Sequence, residues 1–310
     1  MAANTGNLNS IVRESLQERT ARKKTELEEV ERDLKDLASA EEDEFEAKLK
    51  TFIGKHGGIN TQDKQGNTLA HRMTFSGHVY DFYKKIDIMF QYNPDFTIAN
   101  KEGMTPMHLA AVWNRKRYQY QIFRQYVAYA AKKQFDFAAL DGSGKAVLHY
   151  AAYIISEQCN IKIIIDAVKE HNLKTDYNVI SASGKTTLFY LINHQRFYEA
   201  KLLLQEGARP AGNVKDSAEY AEAQKLLAQL KEEQNELCGG LLKDIEEEKN
   251  VELSNAKDSF FHAARRMQID LKIGKLPKKM DKCEEIAADL TEIMQVMETP
   301  IHQPSSCTFQ

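Results

Sequence analysis

The sequence predicts an all-α fold whose middle part is built from recurring pairs of helices. A glycine-led motif recurs four times between residues 59 and 210 of the 310-residue chain. The segments on either side are charged and carry apolar residues at the three- and four-residue spacing of amphipathic helices. The longest apolar runs are far too short to span a bilayer, so these helices are expected to pack against one another in water.

The recurring motif is clearest at residues 103–111, which read GMTPMHLAA. Weaker copies begin at Gly66, Gly144 and Gly184, and the residue five positions after each of the four glycines is His or Phe. Successive glycines lie 37, 41 and 40 residues apart. A motif that returns at a nearly constant interval indicates stacked units, because each unit buries its apolar face only against its neighbours.

This motif resembles the start of an ankyrin repeat, in which a hairpin tip leads into the first of two helices. The resemblance implies an α-solenoid of about four ankyrin-like repeats with β-hairpin tips, each longer than the usual period of roughly 33 residues. An extended second helix at residues 118–135 fits the extra length, and residues 201–210 resemble the end of the last repeat. The resemblance also implies structural roles for three aligned histidines, two threonines and four glycines. They are His71, His108, His149, Thr68, Thr105, Gly66, Gly103, Gly144 and Gly184.

Composition divides the chain into four predicted segments. Charged amphipathic helices precede the repeats, and a second charged helical region follows them. Because the ends of a solenoid need polar caps, both helical regions are expected to cap the repeats. The segments are residues 1–56 for the N-terminal helices, 57–212 for the repeats, 213–298 for the C-terminal helical region and 299–310 for a flexible tail.

One apolar stripe at helical spacing marks the N-terminal region. It consists of Leu27, Val30, Leu34 and Leu37. Such a stripe either packs inside the chain or forms a short coiled-coil seam, and the seam would make the protein an oligomer.

Glycine and proline predict where the helices outside the repeats end. Gly57 and Gly58 are expected to end the second N-terminal helix. In the C-terminal region, Gly239 with Gly240 and residues 274–277 are expected to break the chain into three helices.

The bulk composition excludes several classes of protein. A net charge of −3 argues against a dedicated nucleic-acid binder, which usually carries a strong basic excess. The four cysteines are far apart and lack ligand spacing, which argues against a disulfide framework or a structural zinc site and favours a reducing compartment. No apolar signal-peptide core or membrane span is visible, so a cytoplasmic protein is expected.

No arrangement of nucleophile and base is visible, so the sequence predicts no catalytic residue, cofactor or metal ion. The aligned histidines recur at the repeat period, which favours packing over metal binding. The segment at residues 183–187 resembles the end of a P-loop, but Val179 stands where that motif needs a glycine. The chain is therefore predicted to be a non-enzymatic protein–protein interaction module. The alternative is an enzyme with a catalytic site hidden in the C-terminal helices and the repeats selecting its substrate.

The predicted partner site combines the repeat tips with the turn at residues 113–118. That turn holds the only tryptophan beside three cations, and Trp, Tyr and Arg are enriched at binding hot spots. The cations favour an acidic protein surface. The predicted partner-binding residues are Trp113, Asn114, Arg115, Lys116, Arg117, Tyr118, Asp63, Lys64, Lys101, Glu102, Asp141 and Lys145.

The C-terminal tail suggests two further hypotheses. Cys307 is fourth from the end and matches a C-a-a-X prenylation box, although Thr308 is not aliphatic, so a chance cysteine is the alternative. Degenerate repeats together with a polar, glutamate-containing C-terminus also resemble the ankyrin effectors that intracellular bacteria inject by type IV secretion. That resemblance implies host–pathogen interaction and delivery into the host cell cytoplasm.

Overall fold

The computed structural model describes residues 5–74, 82–114, 117–153, 159–254 and 259–299. Side chains are described in these ranges except at 5–17, 117–118, 238, 241–242, 244–254, 259–271, 273–274 and 277. The described residues are mostly helical and form no β-sheet, which agrees with the predicted all-α class. The helices are α1 (Thr5–Ser39), α2 (Glu42–His56), α3 (Leu69–Met73), α4 (Phe82–Gln91), α5 (Pro106–Trp113), α6 (Arg117–Lys132), α7 (Val147–Tyr153), α8 (Asn160–Glu170), α9 (Thr187–Asn193), α10 (Phe197–Gln205), α11 (Ala218–Ser254) and α12 (Ser259–Glu298).

The chain forms two compact units, residues 1–187 and 188–310. In the first unit, α1, α3, α5 and α7 pack one on the next, and α2, α4, α6 and α8 do the same. The helix pairs α1–α2, α5–α6 and α7–α8 also pack on each other, so the first unit consists of two rows of helices.

Aromatic side chains of the second row explain why α6 is long. Tyr126 is fully buried, and its hydroxyl donates a hydrogen bond to the carbonyl of Ala70 at 2.8 Å. One turn later, Tyr129 stacks on Phe90 with ring centroids 4.1 Å apart and donates to the Pro94 carbonyl at 3.2 Å. These contacts need a helix that continues past its first two turns, and α6 reaches Lys132.

The N-terminal stripe packs inside the chain. Val30, Leu34 and Leu37 are 6%, 0% and 2% exposed, and α1 packs against α2 and α3. These three side chains are buried within the chain, as the intramolecular alternative expects, and Leu27, the fourth residue of the stripe, is half-buried. The predicted stop after α2 is also confirmed, because Gly57 adopts φ of +86° and its N–H donates to the Ile53 carbonyl.

Two predicted helix breaks in the second unit are wrong. Helix α11 continues through Gly239 and Gly240, and α12 continues through residues 274–277. These two long helices pack along each other, and α12 also packs on α10. Contact between these two helices opposes the local penalty, which is roughly 1 kcal/mol for a helical glycine and roughly 3 kcal/mol for proline.

The predicted β-hairpin tips are not seen in the described residues. Two of the four tips close with a single antiparallel bridge, between Leu140 and Ala146 and between Ile180 and Thr186. A turn precedes each bridge and a helix begins directly after it, so no residues remain to extend a ladder. We find no helix in the described part of the chain that is both long and apolar enough to cross a membrane.

Candidate functional site

The four tips share one backbone geometry. In each, an amide donates to the carbonyl four residues later at 2.9 Å, from Asp63 to Asn67, Asn100 to Met104, Asp141 to Lys145 and Ser181 to Lys185. The glycine of each tip has a positive φ, between +72° and +81°. Glycine adopts this conformation without the steric penalty that other residues incur.

Backbone hydrogen bonds join each tip to the next. The amide of Lys101 donates to the Gln65 carbonyl at 2.9 Å, and the amide of Gly142 donates to the Glu102 carbonyl at 3.1 Å. The amide of Ala182 donates to the Gly144 carbonyl at 2.8 Å. The four tips therefore lie side by side along one edge of the first unit.

Three histidines connect neighbouring tips. The Nδ1 atom of His71 accepts from the Thr68 amide at 3.0 Å, so its Nε2–H is the group that donates to the Met104 carbonyl at 3.0 Å. His108 forms the same bonds with the Thr105 amide and the Ala139 carbonyl. Burial lowers the pKa of His71 to about 4, and burial also lowers the pKa of His108.

His149 repeats this arrangement without a threonine. Its Nδ1 accepts from the Ala146 amide at 2.9 Å, and its Nε2–H donates to the Val179 carbonyl at 3.1 Å. Both ring nitrogens of all three histidines are thus used in hydrogen bonds, which leaves none for a metal ion. No group of three or more His, Cys, Asp or Glu side chains in the described residues could hold a metal.

Asp63 and Asp141 lie inside their tips. Asp63 is 3% exposed, and its carboxylate accepts from the amides of Gln65 and Asn67 and pairs with Arg72. Asp141 is 8% exposed and accepts from the amides of Ser143 and Lys145. Each carboxylate therefore holds the shape of its tip.

Hydrogen bonds keep the buried carboxylate of Asp141 ionised. Burial opposes its ionisation, but the Lys145 amide, the Tyr150 hydroxyl and the groups of Ser143 outweigh burial and lower the pKa of Asp141. The Tyr150 hydroxyl donates to this carboxylate at 2.7 Å. Burial, with its bond to Asp141, raises the pKa of Tyr150 to about 12.

Two lysines of the tips contact other side chains of the same chain. The Lys64 ammonium pairs with Glu31 of α1 at 2.8 Å. The Lys145 ammonium lies 5.5 Å from the centroid of the Tyr150 ring. Lys101 and Glu102 are exposed at the second tip.

The predicted turn after α5 separates into exposed and buried residues. Trp113 ends α5 and is 41% exposed, whereas Asn114 is 1% exposed and donates to Asn160 at 2.8 Å. Arg115 and Lys116 lie outside the described residues, as do the side chains of Arg117 and Tyr118 at the start of α6.

In the described part of the first unit, three exposed apolar side chains were missed by the sequence interpretation. Leu140 and Ile180 precede the third and fourth tips and are 51% and 48% exposed, and Tyr153 at the end of α7 is 52% exposed. The residue directly before the first and second tips is polar or small, Gln62 and Ala99, whereas Leu140 and Ile180 occupy this position in the third and fourth tips. Aligning the four tips would therefore have singled out these two large apolar residues.

Comparisons with known proteins add no family to this description. No protein-family model matches the chain. The search of curated proteins gave no significant match.

Proposed function

We propose that the chain is a non-enzymatic protein–protein interaction module with an ankyrin-like α-solenoid. Its partner binds along the tips and the concave side that the first helices of the repeats form. The exposed apolar residues of the first unit carry this proposal. Leu140 and Ile180 occupy equivalent positions on neighbouring tips, and Trp113 and Tyr153 occupy the C-terminal ends of α5 and α7.

Exposure of these side chains is informative because the other large apolar side chains described in the first unit are buried or half-buried. Large apolar and aromatic side chains that stay in water at equivalent positions mark a contact surface, and Trp and Tyr often dominate binding energy. The cations Arg115, Lys116 and Arg117 follow Trp113 in the sequence. They favour a partner with an acidic surface around an apolar centre.

The alternative of an enzyme in the C-terminal helices has less support. Among the described residues, a cleft between α11 and α12 is lined by three lysines, two leucines, one glycine and one glutamate. These described residues include no Ser, Cys, Asp or His that could act as nucleophile or base. Binding explains the described residues better than catalysis does.

Site-specific photo-crosslinking tests the interaction proposal. A photoreactive amino acid at position 140 should form adducts with a partner protein in cells, and Leu140→Ser with Ile180→Ser should abolish co-purification of that protein. Tyr198, which is 54% exposed in the second unit, provides the matched control position. Equal adducts from positions 140 and 198 would contradict the proposal.

The only tryptophan of the chain gives an independent readout. Emission of Trp113 should shift to shorter wavelength when the identified partner covers it, and Trp113→Ala should weaken binding by about 2 kcal/mol or more. Unchanged emission at saturating partner would exclude Trp113 from the contact.

Delivery by type IV secretion and prenylation of Cys307 remain predictions, because residues 300–310 lie outside the described part. A translocation reporter fused to the full chain should lose its signal when residues 299–310 are deleted. Cys307→Ser serves as the control for lipidation, since only prenylation makes membrane partitioning depend on that cysteine.

A further inference from the structure

The N-terminal part of α1 extends past the first tip. The Glu31 carboxylate pairs with the Lys64 ammonium of that tip at 2.8 Å, so residue 31 lies level with the tip. At 1.5 Å per residue, residues 18–26 lie about 8–20 Å beyond Glu31 along the helix. Every side chain from 18 to 26 is exposed. This stretch, which we call the α1 extension, therefore stands in solvent beside the first tip.

One side of α1 is apolar where the helix packs and cationic in the α1 extension. Residues three or four apart share a side of a helix. From its C-terminal end, this side carries Leu37, Leu34, Val30, Leu27, Lys23 and Arg19. Leu37 is buried where α1 packs against α2 and α3, and Arg19 is about five helical turns away on the same side. Arg19 and Lys23 therefore face the space next to the first tip.

The cations of the α1 extension lack the partners that neighbouring cations have. Within the described part of the chain, Arg19, Lys23 and Lys24 form no ion pair, and Arg22 pairs only loosely with Glu26 at 3.8 Å. Each lysine and arginine further along α1 and α2 pairs with a carboxylate, namely Arg32, Lys35, Lys48, Lys50 and Lys55. Arg19 and Lys23 are four residues apart and repel each other, so an anionic group bound between them would relieve that repulsion.

We propose that Arg19 and Lys23 bind an acidic segment of the protein that contacts the tips. This inference rests on the proposed function, because a partner lying along the tips meets this side of α1. The α1 extension holds four cations beside Glu18 and Glu26, whereas nucleic-acid binding commonly neutralises roughly six to ten phosphates. Its single apolar residue is Ala21, so it lacks the apolar face with which helices bind a membrane surface.

A fluorescent decaglutamate peptide, titrated with the full-length protein, tests the cationic side by anisotropy. We expect saturable binding that weakens with salt, because the Debye length falls from about 30 Å at 0.01 M to about 3 Å at 1 M. Arg19→Glu combined with Lys23→Glu should weaken binding by about tenfold or more, since attraction is replaced by repulsion.

Lys24 provides the matched control for Lys23. Lys23→Glu and Lys24→Glu change the net charge equally, but the two positions lie about 100° apart around the helix. Both side chains are exposed, so neither variant should change thermal unfolding. Lys23→Glu should weaken decaglutamate binding at least about threefold more than Lys24→Glu does.

Photo-crosslinking separates this inference from the proposed function. A photoreactive amino acid at position 23 should form adducts with the same protein as position 140 does, and position 24 should form far fewer. If position 140 gives no more adducts than position 198, the proposed function fails and the partner named here fails with it. If position 140 gives adducts but position 23 gives no more than position 24, only the present inference is overturned.

Two outcomes of the titrations would also overturn it. One is equal weakening of decaglutamate binding by Lys23→Glu and Lys24→Glu. The other is binding of duplex DNA or of phosphatidylserine vesicles that depends on Arg19 and Lys23, without binding of decaglutamate.

Discussion

Individual buried side chains join the helix pairs of the first unit. Each of the three histidines accepts a hydrogen bond from the backbone of its own tip and donates one to a carbonyl about thirty residues further along the chain. A neutral imidazole can do both, because one nitrogen accepts while the other donates. Protonation would remove the acceptor and place a charge in a buried position.

The pKa of His71 makes stability depend on pH. The folded value is about 4, below the unfolded value of about 6.5, so the unfolded chain binds the proton more readily. Stability contributed by neutral His71 is therefore full above about pH 6.5 and is lost as pH falls toward 4. We expect a loss of about 2 kcal/mol between about pH 7 and about pH 5 from this residue alone.

Urea unfolding at both pH values measures this loss. In His71→Gln the pH-dependent loss should shrink by about that amount, since glutamine does not titrate. A variant with the same pH dependence as the unchanged protein would show that His71 does not titrate on unfolding.

A second residue-scale prediction concerns Gly103, where the backbone of the second tip lies against that of the third. A Cβ atom there would lie 2.3 Å from the amide nitrogen of Gly142, and Gly103 has φ of +74°. Gly184 has the same φ, but a Cβ atom there would meet nothing within 4 Å. Gly184→Ala should therefore lower the free energy of unfolding only by the cost of the left-handed backbone, about 1–2 kcal/mol.

Gly103→Ala adds a collision with the neighbouring backbone. It should therefore lower the free energy of unfolding by at least about 2 kcal/mol more than Gly184→Ala does. Denaturant unfolding of the two variants gives the difference directly. Equal losses would mean that the second and third tips can separate without a penalty.

At the scale of elements, helix ends are stabilised by contacts distant in sequence. The ammonium of Lys85 on α4 donates to the carbonyls of Ala40 and Ala38 at 2.8 and 3.3 Å, where α1 ends. Lys85 is 7% exposed, and its ammonium lies 5.2 Å from the centroid of the Phe82 ring. A cation at the C-terminal end of a helix satisfies free carbonyls and opposes the negative end of the helix dipole.

Neighbouring lysines allow a matched test of this cap. Lys85→Met keeps most of the apolar volume but leaves two buried carbonyls without their donor, so we expect a loss of about 2 kcal/mol. Lys84 is 70% exposed and pairs with Glu42, and Lys84→Met should cost less than about 1 kcal/mol. Similar unfolding free energies for the two variants would show that α1 does not depend on Lys85.

The periodic motif of the sequence predicted much of the first unit. Contacts between residues that are distant in the sequence could not be predicted from that motif. The interval of the glycines and the alignment of the histidines predicted where helix pairs begin. An aspartate at a turn can face solvent or accept from backbone amides, and the sequence does not distinguish these cases for Asp63 and Asp141. The breaks expected at Gly240 and residues 274–277 were wrong because packing between α11 and α12 outweighs local propensity.

At the scale of the whole molecule, the boundary between the two compact units falls before α9. The segment that the sequence predicts to hold the repeats ends at residue 212 and so includes α9 and α10. The contacts of α10 lie instead within the second unit. The Lys201 ammonium of α10 pairs with Asp289 and Glu292 of α12 at 2.9 and 3.0 Å. Helix α10 thus depends on α12 for its packing.

Two fragments distinguish these boundaries. A fragment of residues 1–187 should unfold cooperatively, because it contains both rows of helices of the first unit. In a fragment of residues 1–212, amides of residues 188–212 should exchange hydrogen rapidly, since α12 is missing, while amides of α5 and α7 stay protected. Full-length protein provides the protected reference for residues 188–212. If those residues are protected equally in the shorter and the full-length chain, α9 and α10 pack as a fourth repeat and the boundary predicted near residue 212 is the physical one.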